Sequence, residues 1–390
     1  MRLLNRYYDD WMKTSLQSKV IDRIKEERGY WIACEESVFY VEGGGMASDR
    51  GTLNDLTVKA LKWENGHIYH LVEEPLEGVV TQQVDVAYRR IKTQIHSAQH
   101  LMCGIMNKRY HAPTISFFND AVEAGAEMGF TAFDHALMEE LEQLCNAYIC
   151  MDLPVEIVYP TKEEALRHVA LEKTDHEELR AVKIGDIDYN MCGCVQVPSL
   201  RHIQMIKFQR FEKTTRGYRI YFLCGDQLLH TYGKQLEALS SCAKKLAVPL
   251  LESAAGVDRL QNELKAAKQE EQNWKNQYVE LYAKQMAETH QEPLIVAEID
   301  DLDTKMFTSL CSILVRNYEK SLLCVCHHEA RAHVVIAHAP SMTFKANALF
   351  QQVGKRFAFK GGGSPFMAQG GGAYEAGILA YLQELAKDLT

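Results

Sequence analysis

No stretch of this 390-residue chain approaches the ~20 consecutive apolar residues that cross a bilayer. The opening residues carry no long apolar run of the kind that begins a secretory signal. Both absences lead us to expect a cytoplasmic protein with no membrane partner. A basic excess is missing as well. The formal net charge of -9 excludes a generally basic nucleic-acid coat, although it leaves room for a local basic groove. The 11 cysteines form no repeated framework in a chain this long, which argues against a disulfide scaffold and for free thiols in a reducing compartment. What remains is ordinary globular composition, long enough for two or three domains.

Strand signals dominate residues 1–90. A β-rich run over 29–41 leads into a motif carrying Phe39, Tyr40, Glu42, Gly43, Gly44, Gly45, Ser48, Asp49 and Gly51. Alternating runs at 56–63 and 66–72 flank an Asn65-Gly66 hairpin signal. This predicts a small antiparallel, β-barrel-like domain. Three consecutive glycines either make a tight inter-strand loop or bring backbone N–H groups up to a ligand. Residues 91–226 mix helix and strand. Strands are expected over 113–118, 122–130, 155–159, 181–184, 203–208 and 218–223, and helices over 136–148 and from Thr161, where a Thr161–Glu164 capping box sits. Residues 227–290 are helical, with a seam at Val257, Leu260, Leu264, Ala267, Trp274, Tyr278 and Leu281 that reads as a short coiled coil or helical hairpin. Residues 291–390 alternate strand and helix. Lys345, Lys355, Arg356 and Lys360 lie there without an acidic neighbour, beside the glycine-rich stretch Gly361, Gly362, Gly363. That is either a phosphate-facing patch or a solvated face and a loop.

The chemistry-bearing pattern is His96 and His100 in a helix-like segment. A spacing of four puts both rings on one helix face, as two nitrogen ligands to one metal would need. An ordinary helix with two histidines has the same spacing. Cys192 and Cys194, about a hundred residues on, offer thiols to complete such a site.

Three motifs in fixed order resemble the long form of the stand-alone alanyl-tRNA editing proteins (AlaX type), themselves similar to the editing and C-terminal parts of alanyl-tRNA synthetase. They are Phe39 to Gly51, the histidine pair with Cys192-Gly193, and Gly361 to Gly372, and they cover nearly the whole chain. The resemblance implies an α+β multidomain protein. Its parts are a β-barrel-like N-terminal domain (1–90), a metal-bearing α/β editing domain (91–226), a helical linker or coiled coil (227–290) and a C-terminal α/β DHH-associated domain (291–390). No Asp-His-His triplet occurs, so the phosphoesterase partner of that last domain is missing.

The resemblance further implies hydrolysis of mischarged tRNA(Ala), chiefly seryl and in some members glycyl, with one zinc ion held by His96, His100 and Cys192. Gln196 stands where the family places a fourth ligand, a histidine. Three outcomes follow: an open three-ligand site with water or Gln196 fourth, substitution by Cys194 or His202, or loss of the metal. Thr114 falls where the family has a threonine that recognises the serine hydroxyl, and Gln99 shares the histidine helix. Gly43 to Gly45, the four basic residues and Gly361 to Gly363 are expected at the tRNA, and a homodimer through the helical segment and C-terminal domain. A non-catalytic tRNA-binding protein is the alternative that Gln196 supports.

Overall fold

The computed structural model describes residues 5–8, 10–119, 123–166, 179–300, 302–328 and 330–389. The chain divides into two compact units, Met1–Ser241 and Cys242–Thr390. The architecture is α+β and multidomain. The first two stretches read from the sequence share one unit, and the division between units falls inside the helical stretch.

The first unit opens with β1 (Ser15–Glu26), β2 (Gly29–Cys34), β3 (Gly51–Leu53), β4 (Leu56–Thr57), β5 (Ala60–Glu64), β6 (His67–Val72) and β7 (Val79–Val84). They form an antiparallel sheet in the order β4-β3-β7-β1-β2-β6-β5. The long strand β1 makes the sheet curl into a half-barrel. Its first half pairs with β7, its second half pairs with β2, and a bulge between Val20 and Asp22 separates them. A bulge bends a strand and adds twist, so one strand serves two sheet directions around a core of Ile32, Phe39, Leu53, Val72 and Val80. The expected hairpin is present: Asn65 and Gly66 both take positive φ (51° and 80°), as a two-residue loop between β5 and β6 requires.

Helix α1 (Val86–Tyr110) follows at once. The Asp85 carboxylate caps it by accepting from the Tyr88 N–H at 3.0 Å. From Lys92 to Met106 α1 is buried on almost every side, although it carries Lys92, Gln94, His96, Ser97 and His100. A helix buried all round yet this polar has a reason other than packing. Around it lie β8 (Thr114–Asn119), β9 (Ala124–Met128), α2 (His135–Cys150), β10 (Val155–Val158), α3 (Lys162–Leu166), β11 (Ala181–Ile184), β12 (Asp188–Met191), β13 (Ile206–Lys213), β14 (Tyr218–Cys224) and α4 (Gly225–Leu246). One sheet runs β13-β14-β9-β8 and a small one β10-β11-β12. The capping box opens α3: Thr161 N–H donates to Glu164 (2.8 Å) and Glu164 N–H donates back to Thr161 Oγ1 (3.2 Å). The strand expected from residue 203 begins at Ile206, because Leu200–Ile203 coils as a short 3-10 turn. Val122, the start expected for a second strand, lies outside the described residues.

In the second unit, α5 (Ser253–Thr289), β15 (Leu294–Ile299), α6 (Thr304–Tyr318), β16 (Ser321–His328), β17 (Arg331–Ala337), α7 (Ala346–Phe357), β18 (Lys360–Gly363), β19 (Met367–Ala373) and α8 (Ile378–Lys387) build a sheet in the order β15-β16-β17-β19-β18. Only β15 and β16 are parallel within it, and α6 connects them. Val279, Ala283 and Met286 of α5 enter the core. The predicted seam does not: Val257, Leu260, Leu264, Trp274, Tyr278 and Leu281 are exposed. Among the described residues no helix is long and apolar enough to cross a membrane.

Candidate metal centre and active site

The centre of the site is Cys192 Sγ. His96 Nε2 lies 3.2 Å from it, and His100 stands beside His96 on the same face of α1. The two imidazoles stand edge to face at 5.1 Å, as their spacing on α1 requires. His100 Nδ1 meets Asp188 Oδ2 at 2.7 Å, and Asn190 steadies the other carboxylate oxygen at 2.9 Å. This is the arrangement in which a carboxylate fixes a ligating histidine's tautomer and orientation. It depends on Gly104, where a Cβ would come within 2.9 Å of Asp188 Cβ and the Ile187 carbonyl. Asp188 is therefore a site residue that motif reading left unassigned. Only its place at the start of β12, beside α1, reveals it.

The hydrogen bond with Cys194 holds the Cys192 thiol well below the usual range against burial, and His96 and His100 add to the effect. Burial alone would lower His100, but the Cys192 sulfur and Asp188 outweigh it and lift the imidazole to about 10. His96 Nδ1 is buried with no hydrogen-bond partner among the described residues. Two imidazoles and a thiolate are soft to borderline donors that suit zinc, so the residues fit that ion.

Gln196 reaches the same sulfur, but with its nitrogen. Val197 N–H donates to Ser97 Oγ (3.0 Å), which turns the Ser97 hydroxyl hydrogen toward Gln196 Oε1 (2.7 Å). The amide NH2 is left pointing at Cys192 Sγ, 3.5 Å away. His202 is turned away, bonded to Ser199 (3.1 Å) and stacked edge-on against Trp11.

Cys103 lies on α1 one turn past Gln99 and His100; its thiol meets Met128 Sδ at 3.7 Å, and burial pushes it up to about 11. Thr114, at the start of β8, is exposed, and Gln99, between the two histidines on α1, is half-buried. The glycine motif also closes on this site. Gly43 and Met46 exchange backbone hydrogen bonds (3.1 and 2.9 Å) around a turn in which Gly44 and Gly45 take φ of 53° and 80°. A Cβ on Gly44 would sit 2.8 Å from Cys194 Sγ, and one on Gly45 2.8 Å from Phe117, whose ring meets His96 edge-on. The Gly43 N–H is engaged in the turn itself.

In the second unit Lys345 stands at the N-terminal end of α7, Lys355 and Arg356 in its last turn, and Lys360 at the start of β18; all four are exposed. Arg356 lies over the Tyr381 ring at 4.7 Å. Gly361, Gly362 and Gly363 form an edge strand paired with β19, where a loop was expected. Side chains at Gly361 and Gly370 would strike Phe350, and one at Gly372 would strike Phe359. Packing therefore accounts for three glycines of that stretch.

The family described as the threonyl and alanyl tRNA synthetase second additional domain matches residues 179–221. The alanyl-tRNA editing protein AlaX-L of Pyrococcus horikoshii is 26% identical, over 93% of each chain. The alanine–tRNA ligase of Geobacillus kaustophilus is 24% identical over 95% of this chain and 45% of its own. The alanyl-tRNA editing protein Aarsd1 of Mus musculus is 27% identical over 61% of this chain and 59% of its own. Among solved structures, the C-Ala domain of Aquifex aeolicus alanyl-tRNA synthetase aligns with 25% of this chain and 88% of its own, at 20% identity and a TM-score of 0.23.

Proposed function

We infer that this chain, which resembles the long-form alanyl-tRNA editing proteins along nearly its whole length, is a hydrolase that deacylates mischarged tRNA(Ala). The observation that carries the reading is His96 Nε2 3.2 Å from Cys192 Sγ, with His100 beside it on α1 and held from behind by Asp188. We assign one zinc ion to His96, His100 and Cys192. When bound, such an ion supplies a Lewis acid that polarises a carbonyl or acidifies a water. The chain's own groups do the rest. Asp188 engages His100 Nδ1, which leaves Nε2 to serve as its donor atom. The Gln196 amide donates to Cys192 and steadies the negative sulfur.

The preferred substrate is Ser-tRNA(Ala), with Gly-tRNA(Ala) second. A pocket shaped for alanine rejects glycine or serine by only ~1–3 kcal/mol. A second site that hydrogen-bonds the serine hydroxyl reverses the preference, because alanine leaves its polar groups unpaired. Thr114 is the group we assign to that hydroxyl, and Gln99 to the substrate or its water. Lys345, Lys355, Arg356 and Lys360, with Gly361 to Gly363, are assigned to the tRNA backbone, as are Gly43 to Gly45 beside the site. The bare seam on α5 supports a homodimer through that helix and the C-terminal unit.

The test is direct. Purified protein with added zinc should deacylate Ser-tRNA(Ala) well above the buffer rate, and Cys192→Ala should abolish both the activity and the metal content. Deacylation no faster than buffer would leave the non-catalytic tRNA-binding reading, which the NH2 face of Gln196 favours, and tRNA binding that weakens steeply with salt would then support it.

A further inference from the structure

Resting on the metal reading above, we propose that Cys194 supplies the fourth donor of the centre, giving a two-imidazole, two-thiolate site in place of the three-histidine, one-cysteine set the motif implies. Gln196 occupies the sequence position of the fourth ligand but turns its NH2 inward. An amide nitrogen that donates two hydrogens has no lone pair for a cation. Its oxygen is held by Ser97 at 2.7 Å, on the side away from Cys192. His202, the nearby alternative, is bonded to Ser199.

Cys194 is buried, and its sulfur lies within 4.8 Å of both Cys192 Sγ and a ring nitrogen of His96. The turn that carries both thiols is clamped from outside. Arg180 Nη1 donates to the carbonyls of Cys192 (2.6 Å) and Cys194 (3.0 Å). The Cys194 N–H points at Cys192 Sγ at 3.4 Å, the kind of contact that orients a ligating sulfur. The Tyr40 hydroxyl, 2.9 Å from the Gly43 carbonyl, also lies 3.2 Å from Cys194 Sγ. The glycine motif then has a role that phosphate binding does not explain. Gly44 carries no Cβ because Cys194 Sγ occupies that place, 2.8 Å from where the carbon would be. Four protein donors fill the tetrahedral shell, so an ion so held would reach a substrate oxygen only by expanding to a fifth position.

X-ray absorption on the zinc-loaded, unaltered protein reads the donor set without any substitution. We expect two sulfurs at about 2.3 Å and two nitrogens at about 2.0–2.1 Å; one sulfur with three lighter donors overturns the assignment. In the cobalt-loaded protein, Cys194→Ser should lower the sulfur-to-cobalt charge-transfer band by about half while circular dichroism is unchanged. An unaltered band overturns Cys194 as a ligand. The two readings fail differently: zinc bound with one sulfur sinks Cys194 alone, whereas unaltered protein that takes up neither ion sinks the metal reading and this assignment with it.

Discussion

Arg89 and Asp49 form a two-pronged ion pair with essentially no solvent exposure. Arg89 Nε lies 2.8 Å from Asp49 Oδ1, and Nη2 closes on Oδ2. The same guanidinium donates to the Val38 and Trp11 carbonyls, and Asp49 also accepts from the Tyr40 N–H (2.6 Å). The pair thus pins the glycine motif to the helix that carries the histidines. Asp49→Ala would leave the guanidinium buried without its counter-charge and should cost about 3–5 kcal/mol. The paired change Arg89→Met with Asp49→Leu should recover most of it. Urea midpoints measure both, and a loss below about 1 kcal/mol for Asp49→Ala would contradict the pinning role.

Asp188→Asn keeps the size of the side chain but removes the charge that orients His100. Zinc affinity, measured by competition with a chelator, should fall about 10–100-fold with the fold intact. Unchanged affinity would mean that His100 needs no carboxylate behind it.

Thr114→Val deletes one hydroxyl at an exposed position. Deacylation of Ser-tRNA(Ala) should drop by about 1–3 kcal/mol in kcat/KM, while that of Gly-tRNA(Ala), which has no hydroxyl to lose, should hold. Equal losses on both substrates would assign Thr114 to general packing.

His70 sets a pH dependence from within the N-terminal sheet, on β6. Burial pushes its imidazole down to about 4 from an ordinary 6.5, against the hydrogen bond to the Ile32 carbonyl. Below pH 6.5 the unfolded chain takes up a proton that the folded chain refuses. The stability this group contributes is therefore complete above 6.5 and is lost as pH falls toward 4. At about pH 5 the loss should be on the order of 2 kcal/mol relative to neutrality. His70→Gln should flatten that part of the urea-midpoint profile; an identical slope in both proteins would assign the acid sensitivity elsewhere.

Local chemistry was legible where neighbours in sequence are neighbours in space. The Asn65-Gly66 turn, the Thr161–Glu164 box and the strand Ala181–Ile184 stand where periodicity and turn residues put them. His96 and Cys192, 96 residues apart in sequence, stand 3.2 Å from one another. Long-range pairings left no such trace. Asp49 is 40 residues from Arg89, and Asp188 is 88 from His100. The hairpin at Gly361–Gly363 read as a loop because glycines carry no alternating side chains to announce a strand; Phe350 and Phe359, which need the space, belong to other elements. On α5, three-and-four spacing marked an apolar seam but not which way it would face, since a second stripe at Val279, Ala283 and Met286 provides the core contact.

The contact between Gly44 and the Cys194 sulfur has a consequence for how this chain can change over generations. The two positions are 150 residues apart, yet they compete for one small volume. A side chain gained at 44 demands a smaller residue at 194, and a bulkier residue at 194 demands that 44 stay bare. Among diverging descendants of this sequence position 44 should stay glycine, because its φ of 53° strains a side chain there whatever stands at 194.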